Sequence, residues 1–495
     1  MDLKPHRTRT ISLFIIVLTI SSLLIGMEAV RDDDFLHYES AKYSTISQNI
    51  LRSGDGLNLR DRRTPFEGDH PPLVFWVNAV FIDLLGETVF AAVLFSVICA
   101  VLTCAAVFIA GCILENDIVG FFASTGLLLT RYVVRVARFN TVDIPLMFFV
   151  TASVLFLLLA LKRDKIFYIL FGIMSGLAVL TKGVAGILPL GIGVLAVIYQ
   201  GRIKDLFHPS FILGIAGAVF IPAMWLYLKG IECPLGAGAV INRYFDFVSG
   251  HFNGYGGQVP SRMRIFTQVF EICFIIAPGF IIGVSYVVRD QFRGIKKEGM
   301  VMVFWAIMFL APVLAAAWRR GMYLLPIYPA LALLFGIGLF RILPEARRIL
   351  AVSIMIAFFA GNISAPFLFP HWEHKRLRDV IFKNTYYPGA RKAVELIFKK
   401  YPAGIRFIAY LPGSAEKDEF VYMFSSQYKI DILTRPDELR EILAGGGAVL
   451  VYIFKDEYSR LGPEIHKNSK IVYAYEDKLL VTNIMKMTPV FGKVD

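Results

Sequence analysis

Charge is what this chain has least of for its size. Only 18% of its 495 residues are Asp, Glu, Lys or Arg, and 56% are hydrophobic. A soluble enzyme of this length carries nearer to about 25% charge, so an ordinary soluble globular protein is excluded. Cysteine is also scarce. Cys99, Cys104, Cys112 and Cys273 lie in apolar runs and Cys233 stands alone in a polar loop. No two of them have metal-finger spacing and no disulfide framework is visible, so they read as small buried hydrophobes. Internal repeats and low-complexity tracts are missing as well. The formal net charge of +12 would suggest nucleic acid in a soluble protein. Here the basic residues fall between apolar runs, which points to basic inner loops and anionic lipid, with no nucleic-acid partner.

What the chain has is apolar length. Its mean hydropathy is +0.60, and many runs approach the roughly 20 residues needed to cross a bilayer. The runs at 11–30, 88–113, 117–134, 143–161, 166–181, 183–199, 210–228, 265–288, 299–317, 322–341 and 348–369 predict a polytopic α-helical membrane protein. Lys4, Arg7 and Arg9 before the first run resemble a signal peptide. The run is long and lacks a small-x-small cleavage site, so it reads as a retained first helix. The basic groups Lys162/Arg163/Lys165, Arg202/Lys204, Arg289/Arg293/Lys296/Lys297 and Arg341/Arg347/Arg348 all fall on the N-terminal side, as the positive-inside rule requires.

Between the first two runs lies a polar segment, 31–87, that carries Asp32, Asp33, Asp34, Glu39, Glu67, Asp69 and His70. Within it, 39–53 reads as an amphipathic helix and 72–86 as a short interfacial one. Residues 371–495 differ in character. Strand-like runs at 406–411, 448–454, 470–475 and 478–484 alternate with helix-like ones at 388–401 and 436–444, the pattern of a small α/β domain outside the membrane. The expected organisation is therefore a membrane domain over 1–370 and an extracytoplasmic α/β domain over 371–495.

Some cations fall on the face where the positive-inside rule disfavours them. Arg131, Arg135 and Arg138 are spaced four and three apart, Lys182 sits in the turn LTKGVAG, and Arg319 and Arg320 sit in WRRGMYLLPIYP. Each alone reads equally well as a side chain snorkelling to lipid phosphate. Together they come from three helix ends on one face, and converging cations there would bind a phosphate or pyrophosphate bridge, with Arg supplying a fork and Lys a point charge.

Several of these segments resemble a known group in order. YESAKYSTISQNILRSGDG (38–56), GDHPPLVFWVNAVFIDLLG (68–86), ARFNTVDIPLMFF (137–149), LTKGVAGILPL (180–190), FDFVSGHFNGYGG (245–257) and RRGMYLLPIYPALAL (319–333) are similar to segments of GT-C membrane glycosyltransferases. Within that type the chain resembles the protein mannosyltransferase-like family and the bacterial aminoarabinose transferases that modify lipid A. The resemblance implies a GT-C fold of about 11–13 transmembrane helices. It also implies an active site on the periplasmic face of the bacterial inner membrane.

By the same resemblance, Glu39 falls at the family's catalytic aspartate, with Asp32, Asp33 and Asp34 near enough to compete. Asp143 matches a second aspartate of the family, whose bland alternative is helix capping. Arg138, Lys182, Arg319 and Arg320 would hold the donor phosphate, and Asp34, Asp69 and His70 would serve the acceptor or loop site. The family's lysine is lost where this chain has His70, so acceptor preference is open. A divalent ion between Asp69 and His251, with His70 as an added ligand, is also implied; no organic cofactor is.

The implied reaction moves one sugar from a polyprenyl phosphate to a lipid, glycan or protein acceptor. The cations would stabilise the leaving phosphate, and Glu39 would act as base for a hydroxyl acceptor. A phosphate acceptor is already ionised and needs no base. Rival readings are an oligosaccharyl-transferring ligase, a transporter of lipid-linked sugar, which usually shows repeated halves, and a non-catalytic envelope scaffold.

Overall fold

The computed structural model describes residues 5–31, 38–59, 70–232, 238, 241–242, 245–246, 249–250, 276–293, 297–316, 321–368, 405–410, 430–433, 435–445, 447–475 and 478–484. The chain divides into two compact units. One comprises Met1–Arg31, Asn49–Gly86 and Phe90–Glu373; the other comprises Asp32–Gln48, Glu87–Val89 and His374–Asp495.

The first unit is helical, and six of its segments are long and apolar enough to cross a membrane. The helices are α1 (Pro5–Arg31), α3 (Leu73–Leu85), α4 (Val89–Leu114), α5 (Asp117–Leu129), α6 (Arg131–Ala137), α7 (Asp143–Lys162), α8 (Phe167–Lys182), α9 (Leu188–Tyr199), α10 (Pro209–Glu232), α11 (Ala277–Phe292), α12 (Met300–Ala315), α13 (Tyr328–Ile342) and α14 (Glu345–Leu368); α2 (Tyr38–Ser53) runs across the division between the units. The chain is thus a multi-pass helical membrane protein with a small C-terminal α/β region.

The apolar run expected as a single span over 117–134 is divided. Asn116 caps α5, its Oδ1 accepting from the backbone N–H groups of Ile118 and Val119. The helix then stops at Thr130, whose ψ of 83° lies outside the helical range and interrupts the ladder before α6 starts. Arg138 lies just past α6 as its C-cap.

Helices α7 and α8 are joined by only four residues, so they form an antiparallel hairpin. Midway along it, Ser153 Oγ and Ser175 Oγ share a 2.8 Å hydrogen bond, which hides two hydroxyls from an apolar interior. The outer side of α8 packs on α10, and α13 is flanked by α5 and α11.

Basic segments gather at one end of these helices. Arg9 pairs with Asp117 at 3.0 Å, and Lys162 Nζ donates to the carbonyl of Ile113 at 3.0 Å. Arg341 bridges Glu115 at 2.9 Å and Asp290 at 3.2 Å. Buried Asp205 accepts from Lys165 at 2.6 Å, Arg202 at 2.7 Å and the Tyr168 hydroxyl at 3.2 Å. Burial pushes the Asp205 carboxyl up, but Lys165, Arg202 and Tyr168 together hold it below the ordinary carboxylate range.

The C-terminal unit carries a five-stranded sheet in the order β2-β1-β3-β5-β4, where β1 is Arg406–Tyr410, β2 Ile430–Leu433, β3 Val449–Phe454, β4 Lys470–Tyr475 and β5 Lys478–Thr482. The first three strands of that order run parallel; β5 is antiparallel to both β3 and β4. Alternate residues Ile408, Tyr410, Val451, Ile453, Leu479 and Val481 point to one face and form a core with Leu439 and Leu443 of α15 (Pro436–Ala444) and with Ile465. The expected helix at 388–401 lies outside the described residues, and β2 is a strand not anticipated from the sequence.

Candidate active site

The hairpin geometry brings the first residue of α7 beside the last residue of α8. Asp143 and Lys182, 39 positions apart, form an ion pair there. Both ends suit their charges, since an acid is favoured at a helix N-terminus and a cation at a C-terminus. The pair is sheltered: the Asp143 side chain is 3% exposed and that of Lys182 13%. Isolated charges at such a depth would be costly, and pairing is what allows them to remain.

The capping alternative for Asp143 does not describe its side chain. Val142 occupies the N-cap position with no side-chain cap, and Asp143 follows as the first helical residue. Thr141 Oγ1 donates to Asp143 Oδ2 and accepts from the Asp143 backbone N–H, both at 3.2 Å. The carboxylate is therefore fixed from the chain side by Thr141 and from the facing helix by Lys182. One step earlier in the chain, buried Asn140 accepts a 2.7 Å bond from the Asn78 amide of α3, which locks the segment before Asp143 onto α3.

Lys182 is aimed by the turn that follows it. Gly183 has φ 60°, a left-handed conformation that glycine adopts without the steric cost of a Cβ. The chain then folds back as a 3₁₀ turn, Gly183–Ile187, so tightly that a Cβ at Gly186 would lie 2.1 Å from the backbone nitrogen of Val179. A second 3₁₀ segment, Gly321–Ile327, presents Tyr323, whose ring centre lies 4.6 Å from Lys182 Nζ in a cation–π contact. Two helices and a 3₁₀ segment thus converge on one ammonium group.

The other expected residues fall as follows. Arg138 is partly buried at the end of α6, its guanidinium 5.0 Å from the Phe139 ring centre. His70 is half-buried just ahead of α3. The backbone of Glu39 lies on α2, in the other compact unit. Asp34, Asp69, His251, Arg319 and Arg320 lie outside the described residues, so the expected Asp69–His251 metal pair does too. Among the described residues no three His, Cys, Asp or Glu side chains are grouped to hold a metal ion.

Two participants were not anticipated. Tyr323 lies inside the segment read for its arginines, and its ring carried no charge signal. Asn78 is the one amide in the apolar run LVFWVNAVFIDLL, and a buried amide among hydrocarbon side chains marks a specific partner; that signal was available.

Comparison with known proteins bears on the family and the fold. Residues 69–227 match the family model described as dolichyl-phosphate-mannose-protein mannosyltransferase. The undecaprenyl phosphate-alpha-4-amino-4-deoxy-L-arabinose arabinosyl transferase 1 of Proteus mirabilis is 28% identical over 342 residues, which cover 66% of this chain and 60% of that protein. Its counterpart in Pectobacterium carotovorum is 25% identical, covering 66% and 59%. The chain thus spans about three-fifths of the length of these curated relatives. The fold matches the crystal structure of ArnT from Cupriavidus metallidurans bound to undecaprenyl phosphate with a TM-score of 0.69 at 18% identity, covering 97% of this chain and 98% of that one. The resemblance to the GT-C membrane glycosyltransferases of the protein mannosyltransferase-like family, with the aminoarabinose transferases among its relatives, is therefore borne out in both sequence and fold.

Proposed function

We propose that this protein transfers a single sugar from a polyprenyl phosphate donor of the undecaprenyl type to lipid A or another envelope acceptor. The reaction takes place at the periplasmic face of the bacterial inner membrane. The observation that carries this reading is the placement of the Asp143–Lys182 pair at the end of the α7–α8 hairpin opposite its basic connection, Lys162–Lys165. Basic connections stay in the cytoplasm, so the sheltered lysine faces the other side, where a lipid-linked phosphate is presented after crossing. The C-terminal α/β region lies on that outer side in this reading.

Lys182 supplies positive charge to the donor phosphate as the glycosidic bond breaks, in a setting where a preorganised cation is worth far more than in water. Arg138, Arg319 and Arg320 are proposed to share that task. Glu39 serves as base for a hydroxyl acceptor; an acceptor phosphate needs none, and the acids then orient the sugar. Asp34, Asp69 and His70 are proposed for the acceptor side. A divalent ion on Asp69 and His251 is implied by the family resemblance alone, and the role given to Lys182 does not depend on it.

The test is transfer by the purified protein in proteoliposomes, with undecaprenyl phosphate-linked sugars as donors and lipid A as acceptor. The reading expects sugar on lipid A and its loss in Lys182→Met. Undiminished transfer by that variant would remove Lys182 from the site. Sugar found on protein or polysaccharide instead would keep the donor class and change the acceptor.

A further inference from the structure

The ion pair poses a question that a phosphate site does not answer by itself. Lys182 already has an anion, Asp143, and the two are sheltered together. A lipid phosphate arriving at this lysine meets a cation whose charge is already spent. Resting on the reading that the site holds a lipid phosphate, we infer that Asp143 is a placeholder for that phosphate. In the donor-free enzyme it holds Lys182; donor binding takes Lys182 away and leaves Asp143 as an unpaired carboxylate beside the reacting sugar.

The geometry suits an exchange of partners. Asp143 is the fixed member: it is 3% exposed, begins a helix, and accepts from the Thr141 hydroxyl at 3.2 Å, a bond within its own segment that does not involve Lys182. Lys182 is the movable member. It ends its helix, is followed at once by glycine, and has a more exposed side chain than Asp143. A lysine carries a compact charge on a rotatable stem and changes anion without the two-point fit that ties an arginine to one carboxylate. The ring of Tyr323, 4.6 Å from Nζ, offers the ammonium a third contact that lasts through the swap. Throughout the exchange the buried cation is never left without a counter-charge; the cost of the swap falls on Asp143, which gives up its cation and keeps the Thr141 hydroxyl.

This arrangement has two consequences for the reaction. Donor binding is weakened by the work of opening the pair, since a competent state that is only partly populated lowers apparent affinity. The second carboxylate is released only when a donor is present. Asp143 then acts on the substrate only after the phosphate is seated.

A binding cycle tests the idea. Undecaprenyl phosphate affinity is measured in detergent for the wild-type protein, Asp143→Asn, Lys182→Met and the double variant. If Asp143 competes for Lys182, Asp143→Asn tightens binding about five- to tenfold when Lys182 is present, and by clearly less in the Lys182→Met background. An equal or larger gain in the Lys182→Met background means plain repulsion between carboxylate and phosphate, and overturns the placeholder. No gain in either background overturns it too. If Lys182→Met binds lipid phosphate as well as wild type does, the phosphate reading itself fails and takes the placeholder with it.

A second measurement reads the carboxylate itself. Infrared difference spectra of ¹³C-aspartate-labelled wild-type protein record the carboxylate stretch before and after lipid phosphate is added. The placeholder requires a shifted band that Asp143→Asn lacks. Saturating lipid with an unmoved band would mean that Lys182 keeps Asp143 while it binds phosphate, and would overturn the exchange.

Discussion

Asn78 of α3 donates a 2.7 Å hydrogen bond to Asn140, three residues ahead of Asp143, and both amides are buried. This bond joins the short apolar helix of the first polar loop to the segment that carries the acid of the Lys182 pair. Replacing Asn140 by Ala strands the Asn78 amide in an apolar setting, which costs about 1–3 kcal/mol. Thermal unfolding in detergent should show the loss, and transfer activity should fall because Asp143 is no longer held in register. Replacing both asparagines by leucine should return part of the stability but not the activity.

Lys182→Met is expected to lower sugar transfer by about 10²–10³-fold, the usual effect of removing one preorganised charge from an active centre. It should also lower stability, because Asp143 is left buried without its cation. Adding Asp143→Asn should restore the stability and leave transfer low. Steady-state transfer and unfolding temperature, measured on the same preparations, separate the two effects.

Tyr323 holds the Lys182 ammonium through its ring. Tyr323→Phe keeps that ring and should change transfer by less than about threefold, whereas Tyr323→Leu removes about 0.5–2 kcal/mol of cation–π attraction. A loss of about three- to tenfold is expected for the leucine variant. Equal losses in the two variants would assign the role to the hydroxyl instead.

Asp205 anchors the opposite end of the α7–α8 hairpin through Lys165, Arg202 and Tyr168. Its carboxyl is held below the ordinary range in the folded protein. Its contribution is therefore complete above the unfolded value of about 3.9. It declines as the pH falls through the lower folded value. Asp205→Asn should cost about 1–3 kcal/mol at neutral pH. The gap to wild type should begin to close below about pH 4 and vanish in stronger acid.

The sequence made the membrane class, most helices and four of the five strands legible because each rests on a local pattern: a long apolar run, or short alternation between turns. The strand Ile430–Leu433 escaped because four residues give too little periodicity to stand out. The break at Thr130 escaped because hydropathy does not register a dihedral change within an apolar run. At the site, the order of motifs marked Asp143 and Lys182 as important but gave them separate tasks. That they touch follows from α7 and α8 packing side by side along their length, a tertiary fact that the spans alone do not state. Tyr323 was hidden for the same reason, since an aromatic residue in an aromatic-rich chain stands out only when a partner is seen.

The reversal at Gly183 bears on biogenesis as well as on catalysis. Phe167–Tyr199 is a 33-residue stretch with the composition of a crossing segment. As one uninterrupted helix it would extend about 50 Å, against a hydrocarbon layer of about 30 Å. The left-handed residue after Lys182 divides that stretch into two helices, Phe167–Lys182 and Leu188–Tyr199, the second folding back along the first in place of one tilted rod. A bulky residue at Gly183 would therefore do more than disturb a lysine. It would favour the single rod and carry Asp205 out of reach of Lys165, so the two ends of the stretch could no longer be stapled together as the chain inserts.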